Sequence, residues 1–302
     1  MSKIPTVTIA TIALNEEQNI EKFLRSVLDQ QEEGFKIVKI LVISDGSSDK
    51  TAEIAKSFKS GLIRVISHEN RIGKSARLNE LYQNLDTDLL LQSDSDIIYS
   101  HKYVVRDMLL PLIKNKDVAM CGGNPLPIKG ATYIEKAINL TTEVYQEFRQ
   151  KVRNGDNVFS ADGRILSFKK ELVKKINVPN DMIANDMFTY FCCLILGLKY
   201  KFVASAIVYF RSPQSVRDHI RQNVRFRASP FRMEKYFSKE LVKKETSIPK
   251  SLLYRTQLLM FIKHPISTLY IYLINLYCKL RARKIEDKLD AKWAIADSTK
   301  YV

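Results

Sequence analysis

No stretch of the sequence is long and apolar enough to cross a bilayer as a helix. The longest uncharged run, Pro265–Cys278, falls short of the ~20 apolar residues that a span requires. Cysteine is scarce. Cys121, Cys192, Cys193 and Cys278 are the whole complement, with no Cys-x-x-Cys pair and no zinc spacing. That excludes a disulfide scaffold and a zinc module, and predicts buried free thiols in a reducing compartment. No internal repeat or low-complexity tract occurs. The start, Met-Ser-Lys-Ile-Pro followed directly by a β-rich stretch, shows no signal-peptide pattern, so a cytoplasmic protein is expected. Acid is short relative to base: 33 acidic against 48 basic residues give a net charge of +15. Such a balance suits nucleotide phosphates, nucleic acid or an acidic membrane surface. Within the α/β region no basic stripe is interleaved with aromatics, and no helix-turn-helix pattern is present, which counts against nucleic acid.

What is present is an ordinary globular composition, 45% hydrophobic and 27% charged over 302 residues. That is enough for one large domain and an appendage. Thr6–Leu14 and Ile37–Ile43 read as strands, as do Leu62–Ser67, Leu89–Gln92 and Val118–Cys121. Helical patterns separate them, at Ile20-Phe23-Leu24-Val27-Leu28, Lys50–Phe58, Leu78-Leu81-Tyr82 and Lys102–Lys114. This alternation predicts an α/β fold with a doubly wound, mostly parallel, Rossmann-like sheet. Farther on, Tyr133–Val152 reads as a long helix and Val158–Phe168 as strand, turn, strand. Asp186–Leu196 reads as an apolar helix, Tyr200–Phe210 as extended chain, and Pro213 as the start of another helix.

The expected division is a main domain over 1–230 and C-terminal amphipathic helices over 231–302. Leu252–Leu280 is rich in Leu, Ile and Tyr, and Lys279, Arg281, Arg283 and Lys284 follow at its end. Short apolar helices with tyrosines and a basic flank suit a membrane interface. A soluble helical hairpin or a dimer face fits the same pattern. In the tail, the lone Trp293 favours docking onto the protein, since so large an apolar group is seldom left exposed.

The chemistry-bearing residues fall at predicted strand ends or helix starts. They are Asn15-Glu16, Asp45, Arg71 and Lys74, Asp94 and Asp96, and Asp186. In an open α/β sheet the ligand site lies beyond the carboxyl ends of the strands. Asp94-Ser95-Asp96 follows a strand buried on both faces. Two carboxylates there can take Mg²⁺ or Mn²⁺, with phosphate and water filling the other positions. Each residue also has a structural reading: Asp94 and Asp96 as a polar turn, Asp45 as a turn former, Lys74 as a helix start, Asp186 as a helix cap.

Taken in order, these segments resemble the inverting family 2 glycosyltransferases of the GT-A fold. The matching residues are Thr11–Glu17, Ser44-Asp45-Gly46-Ser47-Ser48-Asp49-Lys50-Thr51, Arg71-Ile72-Gly73-Lys74 with Leu78-Asn79, and Ser93-Asp94-Ser95-Asp96. Asn185-Asp186 is similar to that family's Glu-Asp pair, and Gln222-Asn223-Val224-Arg225-Phe226 to the Gln-x-x-Arg-Trp motif of its polysaccharide synthases. The resemblance runs from about Pro5 to Arg227.

It implies that Ala13, Asn15, Glu16 and Asp45 line the nucleoside pocket of a UDP- or GDP-sugar donor, with Arg71 and Lys74 toward the same pocket or the diphosphate. It implies that Asp94 and Asp96 form the metal motif, Asp96 the direct ligand and Ser95 between them. Asp186 is then the general base, Gln222 and Arg225 sit over the diphosphate, and Asp162 and Gly163 face the acceptor. Asn185 and Phe226 depart from the family pattern, and the spans of a polymer-exporting synthase are missing. The resemblance therefore implies transfer of one or a few sugars to a lipid-linked or glycan acceptor, by an enzyme peripheral on the inner face of the membrane. It leaves open a homo-oligomer. A catalytically inactive nucleotide-sugar-binding scaffold and a nucleic-acid-binding protein are the alternatives.

Overall fold

A computed structural model describes residues 4–290 together with 292 and 299. Trp293 lies outside the described residues. Strands β1 (Thr6–Ala13), β2 (Lys36–Asp45), β3 (Ile63–His68) and β4 (Leu89–Ser93) alternate with helices α1 (Ile20–Leu28), α2 (Thr51–Ser57) and α3 (Lys74–Gln83). The helix period is visible in α1, which buries Ile20, Phe23, Leu24 and Val27 at spacings of three and four. All five residues of β4 are buried, as expected for a parallel strand covered on both faces. Burying a leucine there contributes about 1.5–3 kcal/mol.

The chain continues through β5 (Ile97–Tyr99), α4 (Val104–Lys114), β6 (Val118–Pro127), α5 (Tyr133–Lys151), β7 (Ile165–Lys169) and α6 (Lys170–Val173). It then forms α7 (Asn185–Ile195), β8 (Lys199–Phe210) and α8 (Val216–Met233). One eight-stranded sheet results, in the order β3-β2-β1-β4-β7-β6-β8-β5. β7 and β5 run against the other six strands. The mostly parallel α/β fold is as expected from sequence.

Three local expectations change. Val158–Phe168 is not a hairpin: Val158–Ser160 is a 3₁₀ turn and only Ile165–Lys169 is strand. The buried Asn157 carboxamide accepts from Phe159 N at 3.0 Å and donates to the Val152 carbonyl at 2.6 Å, which curls the chain away from the sheet. β6 does not stop at Gly122-Gly123 but runs on to Pro127. Gly122 permits this: a Cβ there would fall on the Tyr200 hydroxyl and 2.5 Å from the Ser160 carbonyl. Finally, α8 starts at Val216 instead of Pro213, because Ser215 caps it by accepting from Asp218 N at 3.2 Å.

Beyond α8 lie α9 (Lys239–Thr246), α10 (Lys250–Lys263) and α11 (Pro265–Ile285). α8 and α11 bury Val224, Ala228, Cys278 and Ala282 between them. Arg232, 1% exposed, locks the end of α8 to the chain after α11. Its guanidinium donates to the carbonyls of Glu286 and Leu289 at 2.7 and 2.9 Å, and pairs with the Glu286 carboxylate.

Candidate active site

The carboxyl ends of β1, β2, β3 and β4 lie along one edge because these four strands are mutually parallel. That geometry brings Ala13, Asp45, the Arg71–Lys74 loop and Asp94–Asp96 to a common rim. The loops after β1 and β2 are stitched together there. Asn15, in the left-handed region with φ 55°, donates its N–H to Ser47 Oγ at 3.1 Å, and its side-chain oxygen accepts from Ser48 N at 2.8 Å. Glu16 N donates to Thr51 Oγ1 at 2.7 Å.

Asp45 is 2% exposed and both its oxygens are used. Oδ1 accepts from Ile72 N at 2.9 Å and from Arg77 Nε at 2.8 Å, while Oδ2 accepts from Gly73 N at 2.8 Å. One carboxylate thus fixes the loop that delivers Arg71 and Lys74. Gly46 is required beside it. Its φ is +74°, and a Cβ would lie 2.6 Å from Arg71 N.

Lys74 opens α3 and pairs with Asp94. Asp94 N donates to the Arg164 carbonyl at 3.1 Å, which ties the acidic turn to the chain entering β7. Asp96 is half-buried and Ser95 buried. Burial, then the charge of Asp94, pushes the Asp96 carboxyl up to about 6, although Arg164 and Lys74 pull the other way. Two acids whose charge is incompletely offset by their own cations are a donor set that fits a hard divalent cation. Among the described residues no group of three His, Cys, Asp or Glu could hold a metal ion. A cation here would therefore have two protein carboxylates and draw its remaining ligands from phosphate and water, as Mg²⁺ commonly does.

Asp186 lies in the first turn of α7. Its Oδ1 accepts from Met187 N at 2.8 Å and its Oδ2 from Gly163 N at 3.1 Å. Burial and then Asp162 raise its pKa, partly offset by those two N–H groups and by Lys74. Asp162 is held by Arg149 Nη2 at 2.5 Å and by Arg164 Nη1 at 3.0 Å. Burial raises the Asp162 carboxyl, but the two guanidinium groups outweigh it, and the net shift is downward. Arg164 also stacks on Phe210, its guanidinium carbon 3.7 Å from the ring centre. Arg225 on α8 is depressed by burial while Asp186 and Asp94 act to raise it. Gln222 precedes it by three residues on the same helix and is half-buried.

Sequence reasoning missed three arginines that organise this site: Arg77 under Asp45, and Arg149 and Arg164 around Asp162. Arg77 directly precedes the Leu78-Asn79 match and Arg164 comes two residues after Asp162, whereas Arg149 stands beside no motif. It also missed Ser75, whose hydroxyl donates to Asn185 Oδ1 at 2.9 Å and so links the first turns of α3 and α7. Asn79, part of the Leu78-Asn79 match, is a strut: its carboxamide exchanges hydrogen bonds with Val178 at 2.7 and 2.8 Å.

The family model described as Glycosyl transferase family 2 matches residues 8–176. The chain belongs to glycosyl transferase family 2. A second model, Glycosyl transferase family group 2, matches residues 94–280 and so reaches across α8 into α11. Among curated relatives, a poly-beta-1,6-N-acetyl-D-glucosamine synthase from Staphylococcus aureus is 25% identical over 288 residues, 92% of this chain and 65% of that protein. The synthase of the same name from Staphylococcus epidermidis is 23% identical over 233 residues, 74% of this chain and 54% of that protein. The chain therefore spans less than two thirds of either relative. A mannosyltransferase from Pyrobaculum calidifontis, solved in complex with GDP-Man and Mn²⁺, shares the fold with a TM-score of 0.67 at 15% identity, covering 94% of this chain and 88% of that one. Glucosyl-3-phosphoglycerate synthase from Mycobacterium tuberculosis, solved with Mn²⁺, UDP-glucose and phosphoglyceric acid, gives 0.51 at 17% identity, covering 74% of this chain and 77% of that one.

Proposed function

We propose that residues 1–230 form an inverting glycosyltransferase dependent on Mg²⁺ or Mn²⁺, using a UDP- or GDP-sugar donor. The observation that carries this reading is the separation of two acidic groups by their environments. Asp94 and Asp96 are flanked by Lys74 and Arg164. Asp186 is held apart at a helix start with its pKa raised. Burial raises the carboxyl groups of both Asp96 and Asp186, on two different elements, and perturbed carboxyl groups gathered in one place are a pattern of functional sites. The GDP-Man and Mn²⁺ in the mannosyltransferase, and the UDP-glucose and Mn²⁺ in the phosphoglycerate synthase, support the donor class.

In this reading the acceptor hydroxyl oxygen attacks the anomeric carbon as the bond to the nucleoside diphosphate breaks. Asp186 takes the hydroxyl proton, a step typically contributing about 10²–10⁴-fold. Lys74, Arg71, Arg225 and Gln222 offset the charge that gathers on the departing diphosphate. Asp94 and Asp96 would hold the cation, which supplies further charge neutralisation on that leaving group. Asn15, Glu16 and Asp45 shape the nucleoside pocket through the loops they tie, and Asp162-Gly163 forms the acceptor-side wall behind Asp186.

Residues 231–302 dock the enzyme on the cytoplasmic face of the membrane, where a lipid-linked or glycan acceptor is reached. Among the described residues no helix is long and apolar enough to cross a membrane. Yet α10 exposes Tyr254, Leu258, Phe261 and Ile262, and α11 exposes Ile266, Leu269, Tyr272, Leu273, Leu276 and Leu280. An apolar surface of that extent marks an interaction site.

The test is a thermal-shift series with UDP, GDP, dTDP, ADP and CDP, each with Mn²⁺, Mg²⁺ or EDTA. One diphosphate should raise the melting temperature, by about 2.7 kcal/mol of added stability at a hundredfold excess over its dissociation constant, and EDTA should remove the effect. No shift with any diphosphate in folded protein would discard the donor and metal reading together.

A further inference from the structure

A groove of about 570 Å³ runs between α8 and α11, lined by Val216, Arg217, Ile220, Arg221, Tyr277 and Arg281. Arg217 and Arg221 stand one turn apart on α8, both exposed. Arg281 comes from the facing helix, also exposed, and donates to the Tyr277 hydroxyl at 2.8 Å. The acid beside them is Asp218, which accepts from Arg221 at 3.4 Å and whose own side chain is only 9% exposed. Three guanidinium groups thus line one groove, and among the described residues one carboxylate, Asp218, is paired with them. None is needed to hold the helices together: α8 and α11 pack through Val224, Ala228, Cys278 and Ala282 and through an Asn223–Asn275 hydrogen bond of 2.6 Å.

The groove adjoins the exposed apolar surface. On α11, Leu273, Leu276 and Leu280 are 55%, 43% and 65% exposed, and they flank Tyr277 along the same helix. Apolar side chains beside a cluster of arginines match the two layers of a membrane interface, acyl chains and phosphate headgroups. Nucleic acid would satisfy the arginines and leave the leucines in water. Arginine also suits phosphate oxygens because its planar fork donates two hydrogen bonds at once.

We infer that the Arg217–Arg221–Arg281 groove is a binding site for the phosphate headgroup of an anionic membrane lipid, seated as the leucines of α11 enter the acyl layer. This rests on the membrane-docking reading above. Arg225 follows Arg221 one turn farther along α8, so a headgroup held in the groove fixes the helix that carries Gln222 and Arg225.

The experiment is flotation of the whole chain with vesicles of phosphatidylcholine alone or with about 30% phosphatidylglycerol. Wild type is compared with R217Q/R221Q/R281Q and with I262S/L273S. Melting temperatures and light scattering are recorded for each. Wild type should float with anionic vesicles only. The triple glutamine variant should bind them on the order of 100-fold more weakly, at roughly fivefold per arginine, with its melting temperature unchanged. The serine variant should lose binding through the acyl layer. Wild type that floats with neither vesicle, or is a dimer that covers this face, overturns docking and the groove together. Wild type that floats while the triple variant binds equally well overturns the groove and leaves docking standing.

Discussion

The backbone N–H of Gly163 donates to Asp186 Oδ2 at 3.1 Å, so the turn before β7 aims the carboxylate that opens α7. The neighbouring Asp162 is clamped by Arg149 and Arg164, which keeps that turn rigid. The proposed base is therefore oriented from two elements, the helix it starts and a turn braced by arginines. An asparagine at 186 keeps the size of the side chain and one of the two backbone hydrogen bonds, through its single oxygen, but cannot take a proton. Asp186→Asn should lower kcat by about 10²–10⁴-fold while nucleotide affinity, measured by calorimetry, stays within a few-fold. Transfer at near wild-type rate in that variant would remove Asp186 from the reaction.

Asp96 makes the metal-free protein sensitive to pH. Its folded value is about 6 against an ordinary 3.8, chiefly through burial and next through Asp94. Below about 4 the residue is protonated in both folded and unfolded states and costs nothing. Between about 4 and 6 the unfolded chain releases the proton and the folded one keeps it, so stability falls as pH rises, and the loss is complete above 6. Asp96→Asn should accordingly melt higher than wild type at pH 7 in EDTA, and equal to it near pH 4. The same proton competes with a cation. Mn²⁺ affinity should fall about tenfold per pH unit below 6. A flat affinity between pH 5 and 7 would separate Asp96 from metal binding.

The Asp45–Arg77 pair has both side chains 4% exposed and 2.8 Å apart. Removing one partner of such a pair leaves a buried charge and typically costs about 3–5 kcal/mol. Arg77→Met should lower stability by that order in urea unfolding. It should also weaken nucleotide binding, because the Asp45 carboxylate that fixes Ile72 and Gly73 loses its counter-charge. Loss of stability with unchanged nucleotide affinity would assign Asp45 a purely structural role.

Legibility followed the range of the interaction concerned. β4 was readable because a strand covered on both faces is a continuous apolar run, and the parallel order of β1, β2, β3 and β4 put Asp45 and Asp94 on one edge. The reversal of β7, between β4 and β6, was not, since residues 165–169 carry no signature of strand direction. β5 is three residues long and exists only through its pairing with β8. Arg77, Arg149 and Arg164 were invisible for the same reason: an isolated arginine acquires a role only when the fold delivers a carboxylate to it. Cys192 and Cys193 fell within the expected apolar helix, and burial raises both thiols to about 12, consistent with inert core residues.

Asn185 offers the sharpest test of the base, because it departs from the acidic residue expected beside Asp186. Its Oδ1 takes the Ser75 hydroxyl, while its Nδ2 is buried with no hydrogen-bond partner among the described residues. An aspartate fits that pocket by shape and keeps the Ser75 contact. It also places a second negative charge next to Asp186, whose pKa burial and Asp162 already raise. A like charge disfavours ionisation, so the Asp186 pKa should rise further. The base works only when deprotonated. Asn185→Asp should therefore shift the acid limb of the kcat/KM profile to higher pH, slowing the enzyme below that limb and leaving its alkaline plateau near the wild-type level. An acid limb that stays in place would mean that some other group sets it, with Asp186 ionised throughout the range.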